Sequence, residues 1–181
     1  MKKGRLVPIC LSVSLVLLAG CGHLVYADGP YHGRVIDQET KHPIEGAAVL
    51  AVWWKRAPGP GHPSISFYDA QETLTDQDGN FTIAGIRGGS LNPLAIIQEP
   101  LFTIFKPGYE AYGDRKLAPS GEKGRPVVEL RALTTREERL RNLDRIYPGP
   151  RVPEEKYPNL IRLERLEEVN LGLRPKKEGR P

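Results

Sequence analysis

His42-Pro-Ile-Glu45 sets a histidine and a glutamate at the H-x-x-E spacing of a zinc peptidase pair. A working zinc site needs a third ligand and an activated water in a shaped cleft. The chain has four histidines, and the others stand at no ligand spacing. Pro43 and Gly46 make a plain turn sufficient to explain the segment, so no metal is expected. Asp76-Gln-Asp78-Gly79-Asn80 has the opening of a calcium loop. The twelfth position of such a loop carries a bidentate acid, and here it is Arg87. A hairpin turn accounts for these residues better, with Gly79 taking a positive φ. No Gly-x-Ser-x-Gly elbow occurs, so catalytic residues and cofactors are expected to be none. Trp53-Trp54 is the remaining constellation. Neighbours on a strand face opposite ways, so one indole enters a core and the other lies on the outer face. An outer indole near Tyr68 could stack on a sugar ring or a peptide aromatic. Its competing role is to pack beneath another element. Trp53, Trp54 and Tyr68 are therefore the candidate ligand or partner contacts.

One reactive thiol needs a separate account. Lys2, Lys3 and Arg5 precede a mostly apolar run from Leu6 to Ala19, too short to span a bilayer comfortably. The run ends in Leu18-Ala19-Gly20-Cys21, which resembles the lipobox of bacterial lipoproteins. The resemblance implies removal of residues 1–20 as a signal peptide and attachment of a diacylglyceryl group to the Cys21 sulfur, with palmitate-type acyl chains as the membrane anchor. Two or three chains hold stably where one is marginal. Gly22 in place of Asp resembles the outer-membrane sorting pattern of enteric bacteria. The expected location is the cell envelope, in the outer membrane facing the periplasm or the cell surface. Of the two cysteines, Cys10 leaves with the signal, so no disulfide is expected. The signal removes three basic residues and no acidic one, so the formal charge falls from +4 to +1. A nucleic-acid partner loses its support. Residues 21–30 read as a lipidated tether of at most roughly 30 Å, at about 3.3–3.6 Å per residue.

Residues 31–133 supply the elements that position these groups. Strand patterns at Gly33–Asp37, Ala47–Lys55, Ser66–Asp76, Phe81–Ile86, Leu94–Ile97, Leu101–Lys106 and Val127–Ala132 alternate with Gly, Pro, Asp and Asn clusters. They predict an all-β, seven-stranded sandwich. Gly33-Arg-Val-Ile-Asp37, Thr40 and Pro43-Ile-Glu-Gly-Ala-Ala-Val49 resemble the opening hairpin of carboxypeptidase regulatory-like domains. Thr75-Asp-Gln-Asp-Gly-Asn-Phe-Thr-Ile83, Phe105-Lys-Pro-Gly-Tyr109 and Val127-Val-Glu-Leu130 resemble their later strands, in the same order. The resemblance implies a transthyretin-like Greek-key β-sandwich, departing from the minimal module at an Ala57–Ser64 insertion and a long Ala111–Arg125 stretch. The Tyr-Arg-Gly-Ser tetrapeptide of the transthyretin-like hydroxyisourate hydrolases is missing.

Residues 134–181 change character, with twelve basic and nine acidic side chains. Thr135 and Glu138 form a capping-box pattern, and Leu140, Leu143 and Tyr147 share a helical face. Pro148-Gly-Pro150 stops that helix. A second begins near Pro158, with Leu160, Leu163, Leu166 and Val169 as its apolar stripe, and Lys176–Pro181 is expected to fray. These helices are a short appendage that either docks on the sheet and hides one indole or presents leucines to a partner. The function expected is a membrane-anchored envelope lipoprotein with a non-catalytic sandwich, engaging an envelope protein partner or serving as a structural module. The alternative is an envelope glycan- or peptide-binding module using the Trp53/Trp54 region, and a hydrolase stands third.

Overall fold

The run Ala47–Trp54 is apolar without alternation, which only a strand covered on both faces can bury. In the computed structural model, which describes residues 26–90, 92–117 and 125–173, every side chain of that run is buried. It forms most of strand β3 (Ala48–Ala57), the centre of a five-stranded sheet. Its neighbours are β4 (Ser64–Leu74) on one side and β8 (Leu101–Phe105) on the other, with β9 (Tyr112–Arg115) beyond β8. Short β7 (Ile96–Ile97) pairs with the far end of β3. A three-stranded sheet of β10 (Val127–Leu130), β2 (Tyr31–Asp37) and β5 (Asn80–Ile83) supplies Val35, Phe81, Ile83, Val128 and Leu130 to a core shared with Val49, Ala51 and Trp53. β10 runs parallel to β2, while β5 runs antiparallel to it. The result is a mostly β architecture in which these two sheets share one core.

Three features differ from the sequence expectation. Tyr26–Asp28, assigned to the tether, form β1, antiparallel to β6 (Ile86–Gly88). The single strand expected at Phe81–Ile86 breaks into β5 and β6 at Ala84-Gly85. Gly85 has φ +84°, and a Cβ there would collide with the Asp28 carbonyl where β1 crosses. Gln71 brackets the same glycine, its Nε2 donating to the Gly85 carbonyl at 2.5 Å and its Oε1 accepting from Gly85 N–H at 3.2 Å. Finally, β9 lies in the long Ala111–Arg125 stretch, where no strand was expected, so part of that stretch extends the sheet. Cys21, the signal residues 1–20 and Lys176–Pro181 lie outside the described residues, as do residues 118–124 of the long Ala111–Arg125 stretch.

Helix α1 (Arg136–Leu143) starts with the predicted capping box. The Thr135 hydroxyl accepts from Glu138 N–H, and the Glu138 side chain accepts from Thr135 N–H. A 3-10 turn (Glu154–Lys156) leads into α2 (Pro158–Asn170), which has Pro at its first helical position. The stripe that α2 buries is not the predicted one. Leu160 and Leu163 are buried, but Leu166 and Val169 face solvent while Glu167 and Leu171 turn inward. A 3.6-residue period continues from Leu163 to Glu167 as readily as to Leu166, and Glu167 has a partner there in Arg139. Tyr147 lies beyond α1 and is exposed, while Asn142 and Ile146 are buried in its stead.

Candidate functional site

The two tryptophans part company at β3. Trp53 is 0% exposed in the core between the sheets, and Trp54 is 8% exposed on the opposite face. That opposite face is covered by the tail. Ile146, Val152, Leu160 and Leu163 pack with Leu50, Val52, Trp54 and Phe105. Trp54 also stacks edge-on against Phe67, with ring centroids 6.3 Å apart. A Cβ added at Gly149 would lie 2.5 Å from Trp54 Cζ2, so the Pro148-Gly-Pro150 turn sits directly on the indole. An open indole face for stacking on a sugar or peptide, as the sequence allowed, is thereby corrected: both rings are covered. Tyr68 does not join Trp54. It packs at the margin of the inter-sheet core, and its hydroxyl reaches the Gly89 carbonyl at 3.4 Å.

Polar contacts hold the tail in register. The Glu72 carboxylate, projecting from β4, accepts from Asn159 N–H at 2.8 Å and Leu160 N–H at 2.6 Å. It thereby caps the start of α2, where unpaired N–H groups and the positive end of the helix dipole favour an anion. The Asn142 amide bridges the chain after β8, accepting from Ala111 N–H and donating to the Tyr109 carbonyl. Fully buried Glu167 takes a two-pronged contact from Arg139, at 2.7 and 2.5 Å, and a third from Gly108 N–H at 3.3 Å.

A second cluster forms where β1 meets the sandwich. Asp28 accepts from Trp53 Nε1 at 2.8 Å, from the Tyr26 hydroxyl at 2.9 Å and from the Tyr31 hydroxyl at 2.6 Å. Burial by itself would raise the Asp28 carboxyl, but the Tyr31, Trp53, Tyr26 and Gly29 donors outweigh it, and the group lies below its usual range. Burial and the bond to that carboxylate push both tyrosine hydroxyls well above the ordinary value of 10.0. Asp28 is thus a fixed carboxylate with three side-chain donors, suited to orienting Trp53 and tying β1 to the core. Sequence reasoning missed it. The only local signal was the Tyr26, Asp28, Tyr31 spacing, and the indole that completes the cluster is 25 residues away.

A shallow surface cleft is lined by Glu110, Arg131, Leu133, Glu138, Arg141, Asn142 and Arg145. Its carboxylates are engaged: Glu110 pairs with Arg131 and Arg145, and Glu138 with Arg131. Hydrogen bonds from Arg131 and the Thr135 backbone and hydroxyl hold Glu138 below the usual carboxyl range, so it stands as an anion and not as a proton donor. The lining offers charge and hydrogen bonds but no nucleophilic hydroxyl or thiol.

His42 and Glu45 lie exposed in the connection between β2 and β3. The Asp76 carboxylate is taken up in its own hairpin, accepting from Asp78 N–H at 3.0 Å and Asn80 N–H at 2.8 Å, with Gly79 at φ +74°. Among the described residues no three His, Cys, Asp or Glu side chains are grouped to hold a metal ion, and no helix is long and apolar enough to cross a membrane. Comparison with known protein families, with curated proteins and with solved structures returned no match to this chain.

Proposed function

We propose that the protein is a lipoprotein of the bacterial envelope, held in the membrane by acyl chains on Cys21, whose β-sandwich is a non-catalytic interaction or structural module of the carboxypeptidase regulatory-like, transthyretin-like Greek-key type. The observation that carries this reading is the nearness of the lipobox cysteine to folded structure: Cys21 is five residues ahead of Tyr26, where β1 opens. Such spacing suits a domain worn close against a membrane. The covered tryptophans leave no indole face for stacking on a sugar or peptide, which favours a protein-interaction or structural role over the glycan- or peptide-binding alternative. The partner expected is another envelope protein.

Two measurements test it. Metabolic labelling with palmitate should mark the wild-type chain and fail on Cys21→Ala, which should accumulate as an unprocessed precursor. Acylation of that variant would refute the anchor. Crosslinking in intact cells, followed by purification and mass spectrometry, should recover one envelope protein in near-stoichiometric amount. Recovery of the chain alone would refute the partner role.

A further inference from the structure

The outer face of β3 does not end where the tail stops covering it. Beyond Trp54 the next residue on that face is Arg56, and its direct neighbours across the sheet are Ile65 on β4 and Ile96 on β7. Opposed residues on adjacent strands point to the same side, so these three form one row. Ile65 is 62% exposed and Ile96 67%, and Leu94, on the turn entering β7, is 68% exposed. Three large aliphatic side chains are thus left open to solvent at one end of the molecule, while the rest of the face is roofed by α1 and α2.

Two observations say what covers that end. The first is charge. The segments that build it, residues 55–66 and 86–98, contain Lys55, Arg56 and Arg87 and no Asp or Glu. The tail, by contrast, mixes both signs throughout. Glu99, the next residue after this segment, is paired with Lys116, so an apolar tip flanked by Lys55, Arg56 and Arg87 keeps a cationic excess that matches an anionic lipid surface.

The second is position. Gln71 is level with Gly85, through their paired hydrogen bonds, and Tyr68 is level with Gly88 and Gly89. Moving from Gly85 to Gly88 along β6 therefore runs the same way as moving from Gln71 toward Ile65 along β4. Tyr26 pairs with Gly88, so the chain enters β1 from the end that bears the apolar tip. Ile65 lies three residues past Tyr68, about 10 Å at ~3.3 Å per residue. Cys21 lies five residues before Tyr26, at most about 18 Å at ~3.6 Å per residue. The chain's entry into β1 and the apolar tip share one end of the molecule, and the five-residue reach back to Cys21 starts there.

We propose that the open end of the β3–β4 hairpin, with Ile65, Leu94 and Ile96 among Lys55, Arg56 and Arg87, is a membrane-contact surface that seats on an anionic bilayer beside the Cys21 anchor. The inference rests on the anchor reading of Cys21. It gives the module a fixed orientation: the hairpin end faces lipid, and the cleft around Arg131 and Glu110 is free to face a partner.

The test uses the full chain, exported and processed by its host and reconstituted in vesicles of phosphatidylethanolamine and phosphatidylglycerol containing nitroxide-labelled lipid. Ile65→Cys, Ile96→Cys and Val169→Cys each carry an environment-sensitive dye. Val169 is equally open to solvent but sits near the end of α2, by the β8–β9 turn at the opposite end of the sheet. The dyes at 65 and 96 should shift to the blue and be quenched by the lipid nitroxide, and the dye at 169 should do neither. Lys55→Glu with Arg56→Glu should abolish the shift while the protein still floats with the vesicles. An acylated, co-floating protein whose dyes at 65 and 96 report water overturns the inference and leaves the anchor standing. So does crosslinking of those positions to a second copy or another protein without lipid quenching. A mass spectrum showing unmodified Cys21 overturns the anchor reading, and this inference with it.

Discussion

Replacing Arg139 by methionine strands a carboxylate. Glu167 is fully buried and holds two charge-assisted bonds to Arg139, at 2.7 and 2.5 Å, against a single longer contact from Gly108 N–H at 3.3 Å. Removing one partner of a buried ion pair typically costs about 3–5 kcal/mol, because the other charge has lost its water and gained nothing in return. Arg139→Met is expected in that range. Glu167→Met is expected to cost less, about 1–2 kcal/mol, since the Arg139 side chain remains a quarter exposed and its guanidinium can turn to water. The double variant should lie close to Glu167→Met alone, as two methionines fill the volume and only Gly108 N–H loses its acceptor. Urea unfolding of the chain starting at Gly22, followed by tryptophan fluorescence, measures all three. Equal costs for the two single variants, or an Arg139→Met cost below about 1 kcal/mol, would refute the reasoning: the tail would then be held by its apolar contacts together with the Glu72 and Asn142 hydrogen bonds. The expected asymmetry instead makes the pair a clasp that joins α1, α2 and the β8–β9 turn.

Gly149→Ala combines a φ of +103° with a Cβ 2.5 Å from Trp54, so it should destabilise by about 1–3 kcal/mol and alter the near-UV dichroism of that indole. Asp28→Asn should cost about 1.5–3 kcal/mol by weakening three bonds to a charged acceptor, and should bring the Tyr26 and Tyr31 phenols down toward 10.0 in an absorbance titration. In the wild type those hydroxyls are raised in the folded state, so their contribution to stability is complete below pH 10.0 and is lost as the pH climbs above it. Asp28 is lowered, so its contribution is present above pH 3.8 and is lost as the pH falls through its folded value. Denaturation midpoints measured across both limits should show the two declines, and Asp28→Asn should make the acid one shallower, leaving the share that comes from Asp37 and Glu138. A chain ending at Leu133 would bare Trp54, Leu50 and Phe105 and is expected to aggregate, which sedimentation would detect.

Local chemistry was legible wherever a few neighbouring residues settle the outcome. Thr135 and Glu138 are three apart and form their capping box as the sequence predicts. Asp76 and Gly79 close their hairpin for the same reason, since a short side chain and a free φ act within one turn. The Ala47–Trp54 run announced a strand, and strand alternation implied that its two indoles part.

Which element meets each face was another matter. Glu167 sits inside and Leu166 outside because Arg139, 28 residues away, supplies a counter-charge that no helical pattern encodes. Tyr26–Asp28 looked like tether because three residues carry too little periodicity, and only pairing to β6 and the Trp53 indole makes them a strand. The open row of Ile65, Arg56 and Ile96 exists only because two separate strands bring distant residues to the same arginine. Sequence alone determined most of the longer strands and helices and their turns, because those depend on groups a few bonds apart. Tertiary structure decided what each segment covers, because burial is settled between groups that the chain brings together from far away.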